Sequence, residues 1–408
     1  MEVIKMSFLN PLIVFGISII FFLIMLYRKS GLGISLTVTA LLMSFLSVGV
    51  SGTATVLIET SIDSVTLTLV LASFFIMVLS ILYKETGLVN TLTSSLGGFI
   101  KNSKLMVSLL PAVIGLLPVA GGALMSAPMV EAEADKLGLD ETKKTYINIW
   151  FRHSILPVYP ISQFIVLTAA LTGTSIDALI ARQVIVVIVM IAIGYFIGLR
   201  KTRITKIDEP EVKNNPTAKM KWLVYSFLPI IITVILTAAF NLNIAAATLV
   251  GVATILVITR TKVTTFSRLL KNRALWEVTL AAFGALLLKN VTLVSGASEI
   301  LGNTLLNANL YPIVLLSVVP AVVGFLLGSP SGAIALSVPI LAETVTFIPK
   351  TASLLYISAY LGYLIAPTHL CLVFTAQYFK SPISKSYKYL LPSTIIAIGA
   401  ALITYLII

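Results

Sequence analysis

The chain has 408 residues, 58% hydrophobic and 11% charged, with a mean hydropathy of +1.04. Soluble domains carry roughly 25% charged residues, so this composition excludes a water-soluble globular protein and implies one set in a lipid bilayer. The net charge of +12 sits in the gaps between apolar runs, the pattern of cytoplasmic loops, and no nucleic-acid partner is expected.

A spanning helix needs about twenty mostly apolar residues. In chain order the spans read as 8–27, 31–51, 62–83, 144–173, 176–199, 221–240, 243–259, 274–293, 351–378 and 388–408. The first follows Lys5 and ends at Arg28 and Lys29 with no small-residue cleavage site, so it reads as an anchor helix and not as a signal peptide. The spans 144–173 and 351–378 are long and interrupted, by "PVYP" at 157–160 and "APTH" at 366–369. Two more apolar segments, 104–135 and 311–347, hold "GLLPVAGGALMSAP" and "GFLLGSPSGAIALSVP". Proline removes a helix donor and glycine admits a tight turn. Each segment therefore reads as a re-entrant helical hairpin with its tip near the midplane, "VAGGA" at 119–123 and "GSPSG" at 328–332. The one cysteine, Cys371, rules out an intrachain disulfide.

Basic residues alternate between loops. Arg28 and Lys29, then Lys84, Lys101 and Lys104, then Lys136, Lys143 and Lys144, fall on one side, as do seven in the 200–221 linker. Arg260, Lys262, Arg268, Lys271 and Arg273, then Lys380, Lys385 and Lys388, join them. Only Lys5 and Lys350 fall opposite. This gives ten spans in the cell membrane with both termini outside.

The halves repeat. "PAVIG" from Pro111 returns as "PAVVG" from Pro320, 209 residues on, and "PISQFIVLTA" from Pro160 returns as "PTHLCLVFTA" from Pro367, 207 residues on. Each half then has five spans and one hairpin, and an odd number of crossings inverts the second copy. The expected fold is an all-α integral membrane protein of two inverted-topology repeats: 1–199, a cytoplasmic linker 200–220, and 221–408. Broken backbone at membrane depth is tolerated only inside protein or along a watery cavity, and half-helix ends there hold anions and cations in secondary transporters.

The candidate solute-binding residues are Gly121, Gly122, Ser126, Ser329, Ser331 and Gly332 at the tips, and Ser162, Gln163, Thr368 and His369 at the breaks. Arg152, two turns before the first break, has the planar fork that suits a carboxylate or phosphate; pairing with Glu131, Glu133 or Asp135 is its structural alternative. The candidate ion-coupling residues are Ser162, Thr168, Thr368, Thr375, His369 and Glu343, the last as a buried carboxylate. The tip glycines Gly122 and Gly332 are expected to leave bare backbone for the solute and to favour a left-handed turn. His153 ranks below His369, and Arg182, Glu277 and Lys289 read as snorkelling span ends. There is no HExxH, GxSxG or Walker sequence, so no enzyme and no organic cofactor is expected.

"GLLPVAGGALMSAPMVEAEA", "FRHSILPVYPISQ", "GFLLGSPSGAIALSVP" and "YLIAPTHLCLVFTA" resemble the ion transporter superfamily of citrate, gluconate, lactate and divalent-anion carriers and the arsenite pump. The nearest resemblance is to a mainly archaeal, ten-span family of unknown function. It implies inverted repeats, two re-entrant hairpins, a homodimer and an elevator-like motion. The tips lack the Ser-Asn-Thr of the dicarboxylate branch, so sodium–dicarboxylate symport is not implied. The expected function is secondary transport of a small organic anion, a carboxylate or sugar acid, coupled to Na+ or H+. The alternatives are export of an inorganic oxyanion or metalloid, and an intramembrane lipid-acting enzyme built on Arg152, His153 and His369.

Overall fold

Helices account for all the regular secondary structure among the described residues, which in this computed structural model are 10–100, 102–116, 122–200, 202 and 216–408. The first half runs α1 (Pro11–Tyr27), α2 (Leu32–Ile62), α3 (Ser64–Glu85), α4 (Leu88–Phe99), α5 (Ser103–Gly115), α6 (Gly122–Lys136), α7 (Glu141–Ser154), a short 3-10 turn (Leu156–Val158), α8 (Gln163–Thr172) and α9 (Ile176–Gly198). The second runs α10 (Pro216–Ala238), α11 (Ile244–Thr259), α12 (Val263–Leu269), α13 (Arg273–Val294), α14 (Ala297–Asn307), α15 (Pro312–Leu327), α16 (Pro330–Leu341), α17 (Pro349–Leu364), α18 (Leu370–Tyr378) and α19 (Ile383–Ile407). Short polar side chains start many of them: Asn10, Asp63, Asn102, Asp140, Asn243, Asn272 and Ser329 each accept a bond from a first-turn N–H.

Among the described residues, seven helical segments are long and apolar enough to cross a membrane, counting α7 to α8 as one. These are seven of the ten expected spans; the other three, α1, α11 and the broken α17–α18, fall below that length, with helices of 17, 16, and 16 and 9 residues. The expected span 31–51 is also too short: α2 continues to Ile62 through a kink at Gly49, whose φ is +69°. The stretch beyond Gly49 is rich in hydroxyls and reads as a loop, but Thr53, Thr55 and Ser61 bond to carbonyls four residues back and stay helical. The amphipathic helices α4, α12 and α14 occupy stretches read as connections. Leu92 and Leu96 of α4 pack with Val113 of α5 against Leu223 and Phe227 of α10.

Both proposed hairpins are helix pairs, α5–α6 and α15–α16, and both long spans are broken where expected, between α7 and α8 and between α17 and α18. Apolar side chains such as Ile17, Ile20, Ile188, Ile191, Ile395 and Ile403 stay exposed on α1, α9 and α19, as lipid-facing surfaces do. Inside, helices approach closely where side chains are small. A Cβ on Gly115 of α5 would fall on the Arg152 carbonyl of α7, and a Cβ on Gly324 of α15 would fall on the Ala359 carbonyl of α17. Gly362 of α17 rests in the same way on Ala321.

The long helices cross-connect. Trp150 of α7 donates to the Met190 carbonyl of α9 at 2.7 Å, and Gln183 of α9 donates to the Ser353 carbonyl of α17 at 2.9 Å. The Tyr146 and Ser393 hydroxyls join α7 to α19 at 2.7 Å. Half-helix α6 packs on α18, and α16 packs on α8.

Candidate functional site

A cavity of about 360 Å³ lies where the broken helices meet the second hairpin. Four helices begin on its wall, α13 among them through its second residue, Ala274. Ser162, Gln163 and Phe164 start α8, Ser329 and Pro330 start α16, and His369, Leu370 and Cys371 start α18. A fifth start is adjacent, because Gly122, the first residue of α6, lies against the guanidinium of Arg152. First-turn N–H groups lack helical partners and carry the positive end of the helix dipole.

Arg152 comes from the last turn of α7 and lines this cavity, only 4% exposed. Its Nη1 has no hydrogen-bond partner among the described residues. The acids that were its structural alternatives are engaged elsewhere. Glu133 pairs with Lys136 at 2.9 Å, Asp135 with Lys144 at 2.5 Å, and Glu131 accepts from the Tyr378 hydroxyl at 2.8 Å. The one carboxylate on the cavity wall, Glu277 of α13, accepts from the Gly33 N–H at 2.5 Å, so it caps the start of α2 from another helix.

His153 and His369 meet edge to face with ring centroids 4.8 Å apart. His153 Nδ1 bonds the Ile149 carbonyl at 2.7 Å and His369 Nδ1 the Leu364 carbonyl at 3.3 Å. The Tyr363 hydroxyl lies 2.7 Å from His369 Nε2 and 3.4 Å from His153 Nε2. Tyr360 donates to the His153 carbonyl at 2.8 Å.

Of the sequence candidates, Arg152, Ser162, Gln163, Ser329 and His369 line the cavity. Ser162 sits beside the Tyr356 hydroxyl, and Gln163 Nε2 is buried without a hydrogen-bond partner. Ser329 also caps α16, accepting from Gly332 N–H at 3.2 Å. Ser331 lines a smaller adjoining cavity of about 90 Å³. Ser126 and Thr375 stand apart, both bonded to the buried amide of Asn148 at 2.7 and 3.1 Å. Thr168 bonds back to Phe164 within α8. Thr368 is exposed, and so is Glu343, which follows α16 and packs against Gly302; the expected buried carboxylate is not there.

The glycine expectation also shifts. Gly122 and Gly332 are helical, and the left-handed residue is Gly328, φ +60°, which ends α15 and abuts Thr368. What approaches Gly122 is Arg152, while Gly332 meets Leu327 and Leu32. Gly121 and most of the first tip lie outside the described residues.

Sequence reasoning missed Tyr363, Cys371 and Asn148, and read Glu277 as a span end. Cys371 and Asn148 gave no pattern of their own. Tyr363, three residues before the second break, carried a positional signal.

Two further cavities lie along the same helices. The small one takes Gln163 and Leu167 of α8, Ala281 of α13 and Ser331 of α16. The next, about 740 Å³, takes Leu171, Lys289 and Val338 of the same three, with Glu59 and Asp63.

A family model described as "Protein of unknown function (DUF401)" matches residues 9–408. The chain belongs to the DUF401 family. No curated protein matches it. The DUF401 chain is thus all-helical among its described residues, with seven helical segments suited to a bilayer.

Proposed function

We propose that this protein is a secondary active transporter of a small organic anion, a carboxylate or sugar acid, coupled to Na+ or H+. The observation that carries the reading is Arg152: a buried guanidinium on a cavity wall, against the first residue of α6, with no carboxylate partner among the described residues. A buried charge without a partner is costly, and a solute carboxylate supplies two parallel hydrogen bonds to its planar fork. The helix starts on the cavity wall act in the same sense, since their N–H groups and dipoles favour an anion, while the helix ends on that wall, at Gly115, His153 and Gly328, present the opposite dipole end that suits a coupling cation.

The pairing of the halves supports alternating access. Gly115 and Gly324 are 209 residues apart, and the carbonyls they rest on, Arg152 and Ala359, are 207 apart, the separations of the two repeated motifs. Helix α7 packs on α9 and α19, and α17 packs on the same two. In this reading the halves are inverted repeats, α5–α6 and α15–α16 are re-entrant hairpins from opposite faces, and α1, α11 and the broken α17–α18 cross in addition to the seven longer segments, giving ten crossings. The three cavities along α8, α13 and α16 form the solute path, and the narrow middle one at Leu167, Ala281 and Ser331 is the closed gate.

The test is counterflow in proteoliposomes. A thermal-shift screen over carboxylates, sugar acids and oxyanions, with and without Na+, first selects the solute. Vesicles preloaded with that solute then take up a labelled trace faster than empty ones if the protein is a carrier. A channel gives no such stimulation, and an enzyme changes the ligand. Absence of any carboxylate or sugar acid that both stabilises the protein and exchanges would end this reading.

A further inference from the structure

We propose that His153, His369 and Cys371 form a binding site for a Zn2+-type divalent cation, with the fourth coordination position open to the cavity. A ring nitrogen of each histidine and the Cys371 sulfur lie within 4.8 Å of one another. The inference stands on this cluster and is independent of the transport reading.

The three ligands come from two elements that the second break brings together. His153 is in the last turn of α7, His369 is the residue that begins α18, and Cys371 follows two residues later. Each histidine has its Nδ1 on a backbone carbonyl, Ile149 for one and Leu364 for the other. With the proton on Nδ1, Nε2 is a bare lone pair, and this outer bond is the one that fixes a metal-binding tautomer. The Tyr363 hydroxyl faces both Nε2 atoms but has one proton. It satisfies the nearer, on His369, and leaves the lone pair of His153. A metal ion accepts from both.

Ligand type narrows the ion. Imidazole and thiolate suit Zn2+ and its neighbours, whereas Na+, Mg2+ and Ca2+ take oxygen ligands. Three protein ligands with one open position is a known zinc arrangement. Bonds of about 2.0–2.3 Å place tetrahedral ligand atoms roughly 3.3–3.8 Å apart, so the cluster closes by a shift of about 1 Å, within reach of side-chain rotation at Cys371. The thiolate cancels one of the two positive charges. Arg152 lines the same cavity, so an anion in the open position would sit between metal and guanidinium and offset both.

The experiment uses untagged, full-length protein in detergent, titrated with Co2+ and then displaced with Zn2+. The expected result is one Co2+ per chain with a sulfur-to-cobalt charge-transfer band in the near ultraviolet. Cys371 is the one cysteine in the chain, so Cys371→Ser must abolish that band. His153→Ala and His369→Ala should each weaken Zn2+ binding by about tenfold or more. Tyr363→Phe, which removes the competing hydroxyl, should bind Zn2+ at least as tightly as the parent. Each variant is checked for a monodisperse elution profile, and Cys371→Ser and Tyr363→Phe decide the matter if a histidine variant does not fold. Folded parent protein that takes up no stoichiometric Co2+, or a charge-transfer band that survives Cys371→Ser, overturns the proposal.

Discussion

Arg152 is the residue on which the chemistry of the cavity turns. Its neighbours explain how it is positioned: Gly115 packs directly on its backbone carbonyl, and Gly122 leaves room for its guanidinium. Arg152→Lys keeps the charge and loses the fork. Binding of the anionic solute should weaken about tenfold or more, since hydrogen bonds to charged groups are worth about 1.5–3 kcal/mol, while expression and elution stay normal. Isothermal titration against the solute found in the thermal-shift screen reads this directly, and unchanged affinity would remove Arg152 from the binding site. Arg152, Ser162, Gln163, Ser329 and His369 were visible in the sequence because a lone intramembrane charge and a helix break are local signals. Tyr363, Glu277 and Cys371 were not singled out as site residues, because their chemistry depends on partners from other helices: Glu277 answers to Gly33, 244 residues away.

At the scale of elements, the helix breaks and the helix pairs α5–α6 and α15–α16 were legible to within a few residues, because proline and glycine act on their own backbone. Helix lengths were less so. The hydroxyl-rich stretch beyond Gly49 stays helical to Ile62 with its hydroxyls bonded back to their own helix, and the amphipathic α4 packs on α10. The packing of α5 on α7 and of α15 on α17 yields a paired prediction. Gly115→Ala and Gly324→Ala each set a methyl group on a backbone carbonyl that has no rotamer to move. Each should cost about 1–3 kcal/mol, the usual range for overpacking. Thermal unfolding in detergent should show a drop of a few degrees for both, while Gly399→Ala, which meets open space, is neutral or slightly stabilising through helix propensity. A loss at only one of the two sites would mean that the halves do not pack alike.

For the whole molecule, the alternation of basic loops sets a topology that labelling can test. In a Cys371→Ser background, a cysteine at Lys143, just inside α7, should react only from the cytoplasm, and one at Asn307, the exposed end of α14, only from outside. Reaction of both from one side would refute the inverted arrangement.

The convergence of helix starts on one cavity has an electrical consequence. Peptide dipoles are fixed by the backbone, and Arg152 shares the wall with the carboxylate of Glu277, so the formal side-chain charges cancel and the helix starts leave only a local positive field. In a carrier of this design a monovalent anion bound alone makes the loaded site net negative, and one monovalent coupling cation brings it back to zero. Any net charge left on the loaded site moves through the membrane voltage at about 2.3 kcal/mol per elementary charge for each 100 mV. An inside-negative potential therefore opposes the inward movement of an anion that binds without a cation, whereas a cycle of one anion with one cation turns at the same rate when the voltage is held at zero.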